Sequence, residues 1–237
     1  MTLCDFHGHF LPGMDDGCKT AEEAVRLLKD SYAQGVHRMF ATPHYYPVES
    51  VGAFLKRRDE AFMRLAEALE GETEIPQICL GAEVAYRPGL GYAQDLEKVC
   101  LGTSRYLLLE MPMGRWSREI LRDVRNMSSA FAITPIIAHV ERYWDIEQQD
   151  LLEQLLDMDV LVQMNGSCLL DPKTRRMGRK WLKAGMVHLL GTDCHDNFDR
   201  PPNLGKAVEY LRKKRQTEDL ERICQLSNEI FDEAAEN

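Results

Sequence analysis

Five of the seven histidines in this chain stand beside carboxylates at the ends of short apolar runs. His7 and His9 follow LCDF, His44 lies in ATPHYY, His139 closes TPIIAH, and His195 shares GTDCH with Asp193. Glu83 ends QICLGAE, and Glu110 ends RYLLLE. Imidazole and carboxylate without thiolate form a donor set suited to Zn, Mn or Fe(II). Alternate side chains of an extended segment point the same way, so His7 with His9, and Asp193 with His195, can each present two groups to one ion. HxH alone occurs on many strands; HxH joined to DxH and further strand-end ligands is a far more specific pattern. The ligands outnumber the four of one tetrahedral ion. Two or three ions sharing a bridging carboxylate are the economical expectation. In the turn Asp15-Asp16-Gly17, Asp16 is expected to join the cluster; the other reading is a solvated loop before a helix. Glu110 keeps a second reading as a salt-bridge partner.

Two arginines follow these runs. Arg142 lies three residues past His139 and Arg200 five past His195. The forked N–H groups of arginine match phosphate oxygens, so both suit an anion held beside cations. Tyr45, Tyr46, Tyr143 and Trp144 either wall a ring-bearing substrate or pack the loops, and the segment Arg115-Trp116 either lines the rim or packs. His37 and His188 sit near strand starts and read as structural. Cys194 and Arg200 match the Cys-x5-Arg spacing of a thiol phosphatase loop, but HDNFD between them has no glycine and two acids. Those acids oppose an anion cradle and raise the thiol pKa. Neither a GxSxG elbow nor a glycine-rich phosphate loop occurs. The run Arg212-Lys213-Lys214-Arg215 reads as a solvated helix end.

Positioning these residues requires a regular scaffold. Short apolar runs at Leu3–Phe6, Val36–Thr42, Gln77–Glu83, Arg105–Glu110, Thr134–His139, Asp159–Asn165 and Met186–Gly191 predict seven strands. Helical spacing follows Thr20, which with Glu23 forms a capping box, and Gly35 ends that helix. Further helices are expected from Val51 to Glu70, from Ser117 as cap to Ser129, from Gln148 to Asp157, and from the cap Asp171-Pro172 to Lys183. The last two run from Leu204 to Lys214 and from Thr217 to Ala235. Alternating strands and helices imply parallel βαβ units, and about seven of them over one domain, residues 1–237, predict a distorted (β/α)7 TIM-like barrel. An open doubly wound sheet is the alternative, without the GxGxxG that would support it.

The chain has 237 residues, 44% hydrophobic and 28% charged, which excludes general disorder. No apolar run reaches the length of a membrane span, and MTLCDFHGHF lacks the features of a secretory signal. The formal charge of −9 argues against nonspecific nucleic-acid or anionic-membrane binding, though not against a local cationic pocket. Seven cysteines without a CxxC pair predict reduced thiols and a cytoplasmic protein.

Together DFHGHFLPGMDDG, ATPH, GAEV, Glu110, AHVERY and GTDCH resemble the polymerase and histidinol phosphatase (PHP) superfamily. HGHFLPGMDDG, HVERY and DRPPN are most similar to its metal-dependent protein-tyrosine phosphatases of bacterial capsule and exopolysaccharide operons. Val140 stands where that family usually has proline. The resemblance implies a distorted (β/α)7 barrel with a trinuclear metal site, Mn being the expected ion and Fe or Zn the others. It implies one ion on His7, His9, Glu83 and Asp193, a second on Glu83, Glu110 and His139, and a third on Asp16, His44 and His195. Arg142 and Arg200 match its phosphate-binding arginines, and His44 or His195 could act as general acid. The implied reaction is hydrolysis of protein phosphotyrosine, with a bacterial tyrosine kinase tail as substrate. The competing readings are a small-molecule phosphatase acting on histidinol phosphate, an exonuclease, and a non-catalytic regulatory domain.

Overall fold

Runs too short for helices and rich in Leu, Ile, Val and Phe become strands here, buried on both faces as parallel sheets require. The computed structural model describes residues 2–145 and 149–236. Its strands are β1 (Leu3–Asp5), β2 (Val36–Ala41), β3 (His44–Tyr45), β4 (Gln77–Leu80), β5 (Glu83–Ala85), β6 (Tyr106–Glu110), β7 (Thr134–Ile137), β8 (Leu161–Asn165) and β9 (Leu189–Gly191). The helices are α1 (Ala21–Ala33), α2 (Val51–Ala68), α3 (Glu119–Phe131), α4 (Gln149–Leu156), α5 (Gly166–Leu170), α6 (Arg175–Lys183), α7 (Leu204–Lys213) and α8 (Thr217–Ala235). Among the described residues, no helix is long and apolar enough to cross a membrane.

The strands pair in parallel as β1-β2-β4 and as β3-β5-β6-β7-β8-β9. β2 and β3 are one strand broken at Thr42-Pro43, because proline has no N–H for the ladder. β4 and β5 are a second strand, broken at Gly81-Ala82. Gly81 N–H still reaches Ala41 O at 2.8 Å, and Glu83 N–H reaches Pro43 O at 3.1 Å, so the breaks stay in register. The outer strands meet through Phe6 N–H to Leu190 O, 3.3 Å, and a parallel bridge between Gly8 and Cys194. The result is the expected distorted seven-stranded barrel.

Two cores hold it. The larger packs the helices against the outside of the strands. The smaller fills the barrel with Phe6, Phe40, Leu108, Ile136 and Leu189, and is sealed by Ile230, Phe231 and Ala234 of α8. The Phe40 ring lies 4.7 Å from Phe6 and 5.1 Å from Phe231.

Several boundaries differ from the sequence reading. The expected strand Gln77–Glu83 is broken, so Glu83 starts β5. The strand expected to reach His139 stops at Ile137, because His139 takes φ +32 and begins a 3-10 turn over Val140–Tyr143. Ser117 does not occupy the cap position of α3; Arg118 does, and the Ser117 hydroxyl accepts the Glu119 N–H at 3.3 Å. Asp171 holds a turn ahead of α6 rather than its first cap, accepting Lys173 N–H at 2.8 Å. The short helix α5 was not anticipated. The expected helix start at Gln148 lies outside the described residues. The Thr20–Glu23 capping box forms as expected, and α8 has its expected bounds.

Candidate metal centre

Catalytic groups of α/β barrels gather where strands point their C-terminal ends, and the predicted ligands gather there. Between the two central imidazoles, His7 Nε2 and His9 Nε2 lie 3.0 Å apart. Glu83 Oε2 is 3.3 Å from each, and Asp193 Oδ1 is 3.7 and 3.5 Å away. The other Glu83 oxygen reaches His139 Nε2 at 2.8 Å, and His139 Nε2 is 3.6 Å from Glu110 Oε1. On the outer side, Asp16 Oδ1 lies 3.1 Å from His195 Nε2 and 3.4 Å from His44 Nε2.

Side-chain donors fall into four groups able to hold an ion: His7-His9-Asp193, His7-Glu83-His139, His44-Glu83-Glu110, and His9-Asp16-His44-His195. All nine sequence-predicted ligands are thus brought together. The grouping differs in detail from the resemblance: Glu110 falls with Glu83 and His44, and His9 joins Asp16. The donor chemistry itself fits cations. Glu83 Oε2 and His44 Nδ1 are buried, 2.9 Å apart, and without a hydrogen bond. A cation shared by these facing donors would satisfy both.

Four of the five imidazoles are gripped from behind. His7 Nδ1 faces Gln163 Oε1 at 3.3 Å, His9 Nδ1 faces Asp15 Oδ2 at 2.8 Å, His139 Nδ1 faces the Tyr143 hydroxyl at 3.2 Å, and His195 Nδ1 faces the Asp193 carbonyl at 2.9 Å. Each contact fixes a ring orientation and leaves the inner nitrogen for an ion. Asp15 also accepts the Gly17 and His44 N–H groups, both at 2.9 Å. Gln163 further accepts the His139 N–H at 2.8 Å and donates to Asn165 Oδ1 at 2.9 Å. Asp5 takes the Thr192 hydroxyl at 2.6 Å and N–H at 2.8 Å, pinning β1 to the segment after β9. Glu141 accepts the Asn165 N–H at 3.2 Å. The sequence reading missed Asp5, Asp15, Gln163, Asn165 and Glu141 as parts of this shell. The available signal was a polar residue inside a short buried strand, such as Gln163 in LVQMN, which demands a partner.

Electrostatics follow from this crowding. Burial would raise the Glu83 carboxyl, but the His7 imidazole and a hydrogen bond with His139 hold it well below its usual range. Asp193 is opposed by burial yet brought down to about 2 by His7, His9 and Arg142. Burial and the neighbouring His9 push His195 down to about 4, the state of a neutral ligand. Burial opposes protonation of His9, but Asp15 and Glu83 raise it to about 10, so a cation bound there displaces a proton. Burial pushes the Glu141 carboxyl up to about 7.

Both predicted arginines reach the centre. Arg142 pairs with Asp193 Oδ2, and Arg200 NH2 bonds Asp16 Oδ2 at 2.7 Å with NH1 3.9 Å from Asp193 Oδ1. Of the predicted aromatic wall, only Tyr46 stands at the site, 52% exposed and stacked on His44 at 5.5 Å. Tyr45 is core and bonds Glu49 O, Tyr143 supports His139, and Trp144 packs on Trp181 at 4.8 Å. Trp116 is buried against the Tyr143 ring at 5.6 Å while Arg115 is exposed, so this loop packs through its tryptophan. His188 accepts the Val162 N–H at 3.1 Å, and His37 packs against Tyr32, both structural as expected. Cys194 is fully buried, and burial with the nearby Asp5 carboxylate pushes its thiol well above the usual range, which disqualifies it as a nucleophile. All seven cysteines are free and buried.

A family model for capsular polysaccharide synthesis, CpsB/CapC, matches residues 3–230. The chain is 31% identical over 227 residues to the tyrosine-protein phosphatase CpsB of Streptococcus pneumoniae, covering 90% of each. It is 25% identical over 226 residues to the tyrosine-protein phosphatase YwqE of Bacillus subtilis, covering 90% of this chain and 85% of YwqE. A crystal structure from work on YwqE and CpsB, there called unique metal-dependent tyrosine phosphatases, superposes with a TM-score of 0.84 at 23% identity. That match covers 98% of this chain and 95% of the other, and shows the same fold.

Proposed function

This chain belongs to the CpsB/CapC family of capsular polysaccharide synthesis, and on that premise we propose that it is a metal-dependent protein-tyrosine phosphatase. The observation that carries the reading is the convergence of nine imidazole and carboxylate ligands with two arginines at one rim. We assign His7, His9, Glu83 and Asp193 to one ion and Glu83, Glu110 and His139 to a second. Asp16, His44 and His195 take a third, with Mn as the ion and Fe or Zn as substitutes. Divalent ions held there supply Lewis acidity to phosphoryl oxygens and acidify water.

The chain's own groups do the rest. Arg142 and Arg200, both half-buried or exposed at the mouth, exchange Asp193 and Asp16 for phosphoryl oxygens and neutralise their charge. Asp15, Gln163 and Tyr143 hold the imidazoles in one orientation. His44 is 15% exposed, the most open of the five. Because a tyrosine leaving group has a pKa of about 10, it needs little proton assistance; His44 or His195 would supply it only where its imidazole is not committed to an ion. Tyr46 offers a ring for the substrate's ring to rest against. The substrate we propose is phosphotyrosine on the tail of a bacterial tyrosine kinase, and the reduced thiols support a cytoplasmic location.

The test is phosphate release from a phosphotyrosyl peptide by Mn-loaded protein, beside a chelator-treated control. Chelator-sensitive release is expected. With metal content verified, absence of release from the peptide alongside turnover of histidinol phosphate would move the substrate to small phosphomonoesters.

A further inference from the structure

Outside the barrel wall, a cleft of about 960 Å³ lies between α6 and the α7–α8 junction. α6 contributes Arg176, Arg179, Lys180 and Lys183, and the junction adds Lys214 and Arg215. Two of these belong to the run that the sequence alone read as a solvated helix end. Tertiary structure sets that run against a second basic segment some thirty residues earlier. Glu218 and Asp219 are the acids in the lining.

In a chain where acids outnumber bases, 38 to 29, cations have ample choice of partner. Some take it, as Lys213 does with Glu209 at 2.6 Å. In the cleft only Arg222 has a carboxylate within ion-pair distance among the described residues, Asp219 at 3.6 Å. The six cations named above have none. Gathering unpaired like charges costs self-repulsion, which a bound polyanion removes. The floor is built, not loose. Gln216 is buried and bonds Arg179 Nε at 2.6 Å, the Arg179 carbonyl at 3.2 Å and Asp219 at 3.1 Å. Arg222 donates to Leu182 O at 3.0 Å. Arg215 holds φ +57, a left-handed conformation that favours glycine, yet an arginine stands there. The first turn of the 19-residue helix α8 lines the same cleft, and the positive potential of that helix end is offset in part by Glu218 and Asp219 within the turn.

The shape decides among polyanions. A volume near the upper end of small-ligand sites, about 300–1,000 Å³, suits a compact molecule in a concavity and not a flat bilayer. Forked guanidinium groups beside ammonium groups match closely spaced phosphates. We infer that this cleft binds a compact polyphosphate, a short chain of phosphates free or carried on a small molecule. No residue of the cleft belongs to the metal rim, so the inference stands apart from the phosphatase reading.

The full chain is titrated calorimetrically with inorganic tripolyphosphate, as wild type and as the triple variant Lys180→Gln, Lys183→Gln, Lys214→Gln. All three lysines are exposed and unpaired with carboxylates among the described residues, so folding is preserved; an unchanged melting temperature checks it. Chelation of rim metals affects both proteins alike, and the difference between them reads the cleft. We expect binding weakened roughly tenfold or more in the variant, with peptide dephosphorylation unchanged. Arg215→Gln, a second variant, weakens binding in the same direction. Equal affinity in wild type and variants would place the anion at the rim and overturn the inference, as would no binding at all. Sedimentation with phosphatidylglycerol vesicles separates the other source. Vesicle binding lost in the triple variant, with no tripolyphosphate bound by wild type, would make the cleft a lipid-headgroup surface and overturn the compact-ligand reading.

Discussion

An imidazole that gives one nitrogen to a cation must satisfy the other behind it, and this chain does so with an amide, a carboxylate, a phenol and a backbone carbonyl. Asp15 carries the largest share, because it holds the His9 ring and ties the DDG turn to the His44 backbone. Asp15→Asn is expected to weaken metal affinity roughly 10–100-fold while leaving the fold intact, read by metal titration alongside thermal melting. Unchanged affinity would reduce Asp15 to a loop-forming residue. Cys194→Ser tests the opposite claim. With its thiol fully buried and hard to ionise, replacing it should leave metal content and peptide dephosphorylation in place; loss of activity at full metal content would reinstate a thiol mechanism.

Elements place these residues through breaks as much as through regular structure. Pro43 and Gly81 interrupt two strands, so that His44 and Glu83 lie side by side in register at the start of β3 and β5. Gly17 lets the DDG turn lie against the His9 backbone beyond β1, since a Cβ there would sit 1.9 Å from His9 O. Gly17→Ala should cost about 1–3 kcal/mol by overpacking and lower the number of metals bound, because the turn that moves carries Asp15 and Asp16. Metal analysis and denaturant unfolding would show it; a stable protein with full metal content would contradict the role. The loops after β3 and β9 carry exposed rings, Tyr46 at 52% and Phe198 at 88%. The Asp196 carboxylate caps the N–H groups of Phe198 and Asp199, each at 2.6 Å, holding the second loop in shape. Tyr46→Ala is expected to raise KM for a phosphotyrosyl peptide more than it lowers kcat, the pattern of lost substrate binding. A change confined to kcat would argue that Tyr46 supports His44 instead.

At the scale of the whole molecule, the candidate ligands gather at one end of the barrel and α8 seals the interior. Phe231 packs on Phe40, and Ile230 and Ala234 complete the plug. Phe231→Ala should destabilise the protein by about 3–5 kcal/mol without changing metal stoichiometry in the folded fraction, since none of its contacts is a ligand. Denaturant unfolding measures the first and metal analysis the second. A loss below about 1 kcal/mol would mean the barrel does not depend on this helix for its core.

Periodicity and residue type made the strand-helix alternation and the parallel barrel legible, and together with the motif resemblance they singled out the nine candidate ligands that the fold brings together, because candidates at a barrel rim follow strands and apolar strands are legible locally. The Thr20 cap and the bounds of α8 were legible for the same reason: they depend on neighbours within a few residues. What the sequence could not decide depends on residues distant along the chain. Gln163 lies 156 positions from His7, and nothing local says that its amide faces an imidazole. Tyr45 and Tyr46 are adjacent and alike in composition, yet one is buried and the other faces the site, a matter of which side of the strand the fold covers. The basic run at Lys214-Arg215 became half of a cleft only when α6 was laid beside it. Local physics selects elements, and only packing chooses which side chains from separate elements share a space.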